Sequence, residues 1–190
     1  MKKEEHAIVL EYLKKGYKKD YKNKPIVQAI GTDHFTLLEL VPKKDVKISL
    51  GEKIYVGKDE REKIDYIKST LEYKDLSNAA KNELEEVAKT LVKEKEDKFV
   101  KFFNKTGAIT IKEHSLELIP GIGKKHMKKI LDEREKEEFK SYKDIEERID
   151  LMPDPKEPLA ERLLEEIKGN TKYNLFTKKK SKSSRKKKRR

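Results

Sequence analysis

Along roughly the first 70 residues the apolar side chains come in short unbroken runs bounded by turn residues, a pattern of buried strands. Ala7-Ile8-Val9-Leu10-Glu11-Tyr12-Leu13 is the first run, broken by Lys14-Lys15-Gly16 and a lysine/tyrosine loop to Lys24. Pro25 to Ile30, the turn Gly31-Thr32-Asp33 and Phe35 to Val41 predict a hairpin. Further strands are predicted at Lys53-Ile54-Tyr55-Val56, closed by Gly57, and around Ile64 to Leu71. So many short strands suit a small β-barrel over residues 1–74, whose closure removes exposed edges.

The period then changes from runs to steps of three and four. Ala80, Leu84, Val87, Ala88, Leu91 and Val92 form the stripe of an amphipathic helix, with Ser77 as N-cap. Lys95 interrupts it before Phe99, Phe102 and Phe103, predicting one bent helix or two that meet near Glu94 to Asp97 and stop at Thr106-Gly107, with the phenylalanines in the core. These form a connecting segment, residues 75–107. Short helices follow over residues 108–171, at about Lys112 to Leu118, Lys124 to Lys136, Tyr142 to Ile149 and Pro158 to Lys168. Ser141-Tyr142-Lys143-Asp144 has the form of a capping box, and Gly169 ends the last helix. The fold class is therefore α+β.

Charge changes the picture at one end of the chain. Lys and Arg number 48 against 36 Asp and Glu, a net +12. Eleven of these charges are Lys172, Lys178, Lys179, Lys180, Lys182, Arg185, Lys186, Lys187, Lys188, Arg189 and Arg190, with no acid among them, which leaves +1 for residues 1–171. The body is nearly neutral, and residues 172–190 read as a disordered basic tail with too little apolar surface to fold. Cys and Trp are absent, Gln28 is the single glutamine, and 44% of residues are charged, as in the lysine/glutamate-rich usage of hyperthermophiles. Without Cys the chain has no disulfide, thiolate metal site, iron–sulfur cluster or cysteine nucleophile. The start Met1 to His6 lacks a signal-peptide core and no apolar stretch is long enough to span a bilayer, so a cytoplasmic protein is expected.

The chemistry concentrates in Leu116-Glu117-Leu118-Ile119-Pro120-Gly121-Ile122-Gly123-Lys124-Lys125. Glycines let main-chain amides approach a ligand, and a following helix offers unpaired N–H groups with partial positive charge, so an anion such as phosphate fits. A bare interhelical turn would also use glycine, but here Lys124, Lys125, Lys128 and Lys129 follow it, with Met127, Ile130 and Leu131 as the packing face. The segment resembles a helix-hairpin-helix. The amides of Gly121, Ile122 and Gly123 with Lys124, Lys125 and Lys128 are expected to hold one nucleic-acid backbone phosphate.

From Leu118 to Gly169 the chain resembles the double helix-hairpin-helix domain of competence-type DNA-binding proteins and of repair and transcription factors, with Ile130, Arg134, Phe139, Ser141, Asp144 and Ile145 at matching places. Where that domain has a second glycine hairpin, this chain has Leu151-Met152-Pro153-Asp154-Pro155-Lys156-Glu157-Pro158. Three prolines supply few amide donors and two acids repel phosphate, so one clamp is expected and the second hairpin is structural. Over residues from about 5 to 175, and most specifically at Pro120 to Met127 and Pro153-Asp154-Pro155, the chain resembles the archaeal domain-of-unknown-function family 655. That resemblance implies an OB-like barrel joined to a helix-hairpin-helix domain, with RNA as the ligand.

Enzymatic readings find less support. Helix-hairpin-helix glycosylases place a catalytic aspartate after the hairpin, and Asp144 has suitable spacing, but the helix start already explains it. His6, His34, His114 and His126 lack metal-ligand spacing. Asp132, Glu133, Glu135, Glu137 and Glu138 read as a solvated face interleaved with Arg134 and Lys136. No catalytic residue, metal or cofactor is expected. The tail, from Lys178 to Arg190, would neutralise phosphate with a strong salt dependence, and it lacks the anchor that membrane binding needs. The expected function is therefore non-enzymatic RNA binding through the clamp and the tail, with rRNA or ribosome metabolism as the setting. The barrel would meet bases, although its aromatics Tyr12, Phe35 and Tyr55 suit the core equally. The alternatives are a duplex-DNA-binding protein of repair or recombination and a scaffold that meets a protein partner while its tail localises it.

Overall fold

The computed structural model describes residues 4–17, 24–152 and 154–178. The fold is α+β, and its described residues divide into two compact units, one within 1–83 and 166–190, the other 84–165.

In the first unit, strands β1 (His6–Leu13), β2 (Ile26–Gly31), β3 (Leu37–Pro42), β4 (Lys53–Tyr55) and β5 (Ile64–Thr70) form one antiparallel sheet in the order β4-β1-β2-β3-β5. Bulges between Val9 and Glu11 and between Glu39 and Leu40 curl it into half a barrel. The closed barrel expected from the strand count is not reached among the described residues. β4 is only three residues long and pairs with β1 alone, which leaves β4 and β5 as edges.

Ala7, Val9, Val27, Ala29, Leu38 and Leu40 fill the concave core with Ile54, Val56 and Ile64. The alternate residues Ile8, Leu10, Ile26, Ile30 and Leu37 are buried as well, which is why these strands read as unbroken runs and not as alternation. Gln28, wholly buried on β2, is held by three hydrogen bonds. Its side-chain amide donates to the Tyr17 hydroxyl (2.9 Å) and the Asp75 carbonyl (3.3 Å), and its carbonyl accepts from the Ser77 N–H (3.0 Å). Ser77 in turn caps the next helix, its Oγ accepting from the Ala80 N–H at 3.0 Å.

Two carboxylates fasten loops of this unit. Glu4 accepts from the N–H groups of Asp33 (2.8 Å), His34 (3.0 Å) and Thr36 (3.0 Å). A Cβ on Gly31 would lie 2.1 Å from the Glu4 Cδ, which explains the glycine. Glu166 accepts from the N–H groups of Leu175 (2.6 Å), Phe176 (2.9 Å) and Thr177 (3.0 Å). The tail expected to leave the fold at Lys172 is therefore held through Thr177, because a nearly buried carboxylate needs those donors. Lys179 to Arg190 lie outside the described residues.

Helices α1 (Asn78–Glu94) and α2 (Glu96–Lys105) are separate, meeting at Lys95 within the predicted interval, and Phe99 and Phe103 are fully buried. The remaining helices are α3 (Lys124–Lys136), α4 (Tyr142–Arg148) and α5 (Lys156–Lys168). No helix forms at Lys112 to Leu118 beyond a 3₁₀ turn at Ser115–Leu118. Instead Ala108 and His114 bridge, and the Thr110 Oγ1 accepts from the N–H groups of Lys112 (3.2 Å) and Glu113 (3.0 Å). That side-chain competition, with β-branched Ile109, Thr110 and Ile111 in sequence, favours a small hairpin over a helix. α5 begins two residues earlier than expected, because the Asp154 Oδ1 accepts from the Lys156 N–H (2.9 Å) and Pro158 sits in the first turn, where its missing N–H costs nothing.

Candidate nucleic-acid interface

The site is built on the turn Ile119-Pro120-Gly121-Ile122. The Ile122 N–H donates to the Ile119 carbonyl at 3.1 Å, and Gly121 has φ +79°, a conformation that glycine adopts freely. Buried Ile119 and Ile122 seat the turn, leaving Gly121 and Gly123 exposed. Gly123 is the N-cap of α3 with an ordinary φ of −86°, and a Cβ there would meet nothing within 4 Å. The fold thus gives no steric reason for glycine at 123, and the space above it is open.

At the start of α3 the N–H groups of Gly123, Lys124, Lys125 and His126 precede the first possible intrahelical acceptor, and no described side chain accepts from them. No acid stands in that first turn. Lys124, Lys125 and Lys128 are exposed and, among the described residues, in no ion pair; Lys129 instead lies 3.4 Å from Glu133. The His126 ring ties the helix back to the turn, its Nδ1 donating to the Gly121 carbonyl at 3.2 Å. Exposed amides and three such lysines thus stand within the first five residues of one helix, whose dipole adds to the attraction for an anion at its start.

Of the expected clamp residues the structure places Gly121 in the turn, Gly123 at the N-cap, Lys124 and Lys125 in the first turn of α3 and Lys128 just after it. It corrects Ile122, whose amide is taken by the turn itself. The donors passed over in favour of Ile122 are the amides of Lys124 and Lys125, recognisable from the helix start at residue 124. Lys178 is exposed, and the remaining tail positions, Lys179, Lys180, Lys182, Arg185, Lys186, Lys187, Lys188, Arg189 and Arg190, lie outside the described residues.

Behind the hairpin a polar network sets its frame. Arg134 on α3 donates to the carbonyls of Phe103 (2.9 Å) and Thr106 (2.8 Å) at the end of α2. The Asn104 amide pairs with both the N–H and the carbonyl of Phe139, each at 2.8 Å, and the Arg148 guanidinium lies over the Phe139 ring. Asp144 starts α4: its N–H donates to the Ser141 Oγ (3.0 Å) and its carboxylate accepts from the Lys140 N–H (2.9 Å). The His114 Nδ1 accepts from the Leu116 N–H at 3.1 Å, and burial, reinforced by Arg134, holds its pKa below the ordinary value.

The second hairpin repeats the turn with different chemistry. The Met152 N–H donates to the Ile149 carbonyl at 3.3 Å, and Leu151 occupies the left-handed position with φ +58°. Here Asp154, the protein's own anion, already takes a donor of the following helix. From Asp144 to Glu157 six acids stand against Arg148 and Lys156, whereas from Glu117 to Ile130 one acid stands against four lysines.

In the sheet, Phe35 is buried, and Tyr55 lies edge-on to His6 with its hydroxyl donating to Asp59 (3.0 Å). Tyr12 packs against the sheet core. The aromatic that does face solvent is Tyr66 on β5, 45% exposed, a position that alternation along a curled edge strand disguises in the sequence.

Fold and site together define an α+β protein with a curled antiparallel sheet and a helical unit carrying one glycine hairpin. The chain belongs to the family described as protein of unknown function (DUF655), whose family model matches residues 3–178. It is 45% identical over 177 residues to an uncharacterized protein of Methanocaldococcus jannaschii, covering 92% of this chain and 80% of that one. The crystal structure of Af1531 from Archaeoglobus fulgidus, of the same family, superposes with a TM-score of 0.82 at 39% identity, covering 92% of this chain and all of that one. No helix among the described residues is long and apolar enough to cross a membrane.

Proposed function

We propose that this protein is a non-enzymatic RNA-binding protein that grips the phosphate backbone at Gly121, Gly123, Lys124, Lys125 and Lys128. One observation carries the reading: the α3 terminus offers amides that, among the described residues, have no acceptor, with three lysines in no ion pair, open space at Gly123 and no acid in the first turn. At the matching helix start Asp154 already accepts from Lys156 and puts its own negative charge there, so of the two hairpins the first is the better able to take a phosphate.

The turn geometry supports a helix-hairpin-helix reading of residues 108–171, and five short antiparallel strands with open edges support an OB-like reading of the sheet. On that reading Tyr66 is where a base would stack. The tail from Lys178 to Arg190 adds long-range attraction, and rRNA is a ligand class that such a nearly neutral body with a basic end suits. Duplex DNA is the second reading, favoured by the glycine hairpin taken alone.

Fluorescence anisotropy with single-stranded RNA, structured RNA and duplex DNA across a salt series tests this, using the full chain, a chain ending at Lys178, and Gly123→Ala in each. Truncation should lower affinity and flatten the salt slope. Gly123→Ala should weaken the remaining binding by about 1–3 kcal/mol, the scale of charge-assisted hydrogen bonds. Equal binding by the truncated chain with and without Gly123→Ala would remove the clamp, and tighter binding to duplex DNA than to every RNA would select the second reading.

A further inference from the structure

Ile111 is the most exposed large apolar residue among those described, at 106% of its reference surface. It stands at the tip of the hairpin that replaced the expected helix. The tip is braced: the N–H groups of Ile109 (2.8 Å) and Thr110 (3.1 Å) donate to the Glu113 carbonyl, and the Thr110 Oγ1 accepts from Lys112 and Glu113. At its base both the N–H (3.1 Å) and the Oγ (2.7 Å) of Ser115 donate to the Gly107 carbonyl. A stiff β-branched side chain thus projects wholly into water from an ordered loop, where it buries nothing for the fold. The ordering cost of inserting it elsewhere has already been met.

We infer that Ile111 is an apolar wedge that enters the base stack of the nucleic acid held at Gly121 to Lys128, an inference that rests on the proposed function. Three observations choose this occupant. The hairpin leads through the Ser115–Leu118 turn directly into the glycine hairpin, so tip and clamp are joined by one hydrogen-bonded segment. Lys112 next to the tip is exposed and, among the described residues, in no ion pair, as is Lys105 at the end of α2, so a phosphate beside the wedge finds a cation. Leu151, another exposed aliphatic turn residue at 89%, has Asp150 beside it, where Ile111 has Lys112. Insertion of an aliphatic side chain between bases unstacks one step, so the favoured substrate is RNA with a flexible or already interrupted stack, such as a bulge or a single strand.

The test uses the full chain and an RNA hairpin with a one-nucleotide bulge, 2-aminopurine placed beside the bulge, with anisotropy and 2-aminopurine fluorescence read on the same samples. Saturation with the parent should raise the fluorescence about two-fold or more, since unstacking relieves quenching. Ile111→Leu should retain the rise. Ile111→Thr keeps the branched shape and should abolish it while weakening binding by roughly three- to tenfold, the scale of one lost apolar insertion. Binding without a fluorescence rise, or an Ile111→Thr chain that brightens the probe like the parent, would refute the wedge and leave the clamp standing. So would loss of a co-purifying protein with RNA behaviour unchanged, which would assign the tip to a protein contact. A full chain giving no anisotropy change with any RNA or DNA would remove the nucleic-acid reading, and the wedge with it.

Discussion

Gly121 and Leu151 hold the same place in two turns closed by the same hydrogen bond, with φ +79° and φ +58°. One is the residue that this conformation favours and the other is not. Opposite responses follow: Leu151→Gly or Leu151→Asn should leave stability unchanged or raise it by up to about 1 kcal/mol, whereas Gly121→Leu should cost about 1–2 kcal/mol. Urea denaturation of the four chains checks this, and destabilisation by Leu151→Asn would mean that the leucine packs in a way its exposure hides.

Gly123→Ala separates binding from folding. Its backbone is ordinary and the added methyl meets open space, so stability should fall by no more than about 1 kcal/mol, the scale of a glycine-to-alanine change at an N-cap. A larger loss would attribute any binding defect to the fold.

Glu4 and Gly31 should behave as one unit. Removing the carboxylate in Glu4→Ala strands three loop amides, and Gly31→Ala drives a Cβ into the Glu4 side chain, so each should cost about 2 kcal/mol. The double substitution should cost about 1 kcal/mol less than the sum, because without Glu4 the methyl has room. Additive losses in a double-mutant cycle would contradict this coupling.

His114 predicts a pH dependence. Its folded pKa lies below the ordinary 6.5, chiefly through burial, so the neutral ring contributes stability that is full above pH 6.5 and is lost as pH falls through the folded value. Melting temperature should therefore fall below pH 6.5 more steeply in the parent than in His114→Asn, whose carbonyl can still accept from Leu116. Parallel curves for the two chains would exclude the histidine as the source.

Glu166 should guard the segment leading to the tail. Glu166→Gln weakens the acceptor for Leu175, Phe176 and Thr177, so trypsin should cut after Lys172 roughly tenfold faster, while cutting after Lys178 stays unchanged. Equal rates after Lys172 would mean that other contacts hold the segment.

Much of this organisation is local in origin and was legible along the chain. The apolar runs of β1 to β3, the stripe from Ala80 to Val92, the break at Lys95 and the α3 start after Gly123 depend on side-chain periodicity and turn residues within a few positions of one another. The sequence by itself also placed the glycines and lysines of the candidate clamp on one helix end and most of the net charge in the last 19 residues. Tertiary structure decided what depends on partners far along the chain. Gln28 is buried because Tyr17, Asp75 and Ser77 meet it, and the tail starts late because Glu166 captures residues 175–177. The sheet stops at half a barrel because β4 pairs over three residues only, and the amide of Ile122 drops out of the clamp because its own turn consumes it. Periodicity reports which face a residue occupies; which donors and acceptors remain free is known only once every partner is in place.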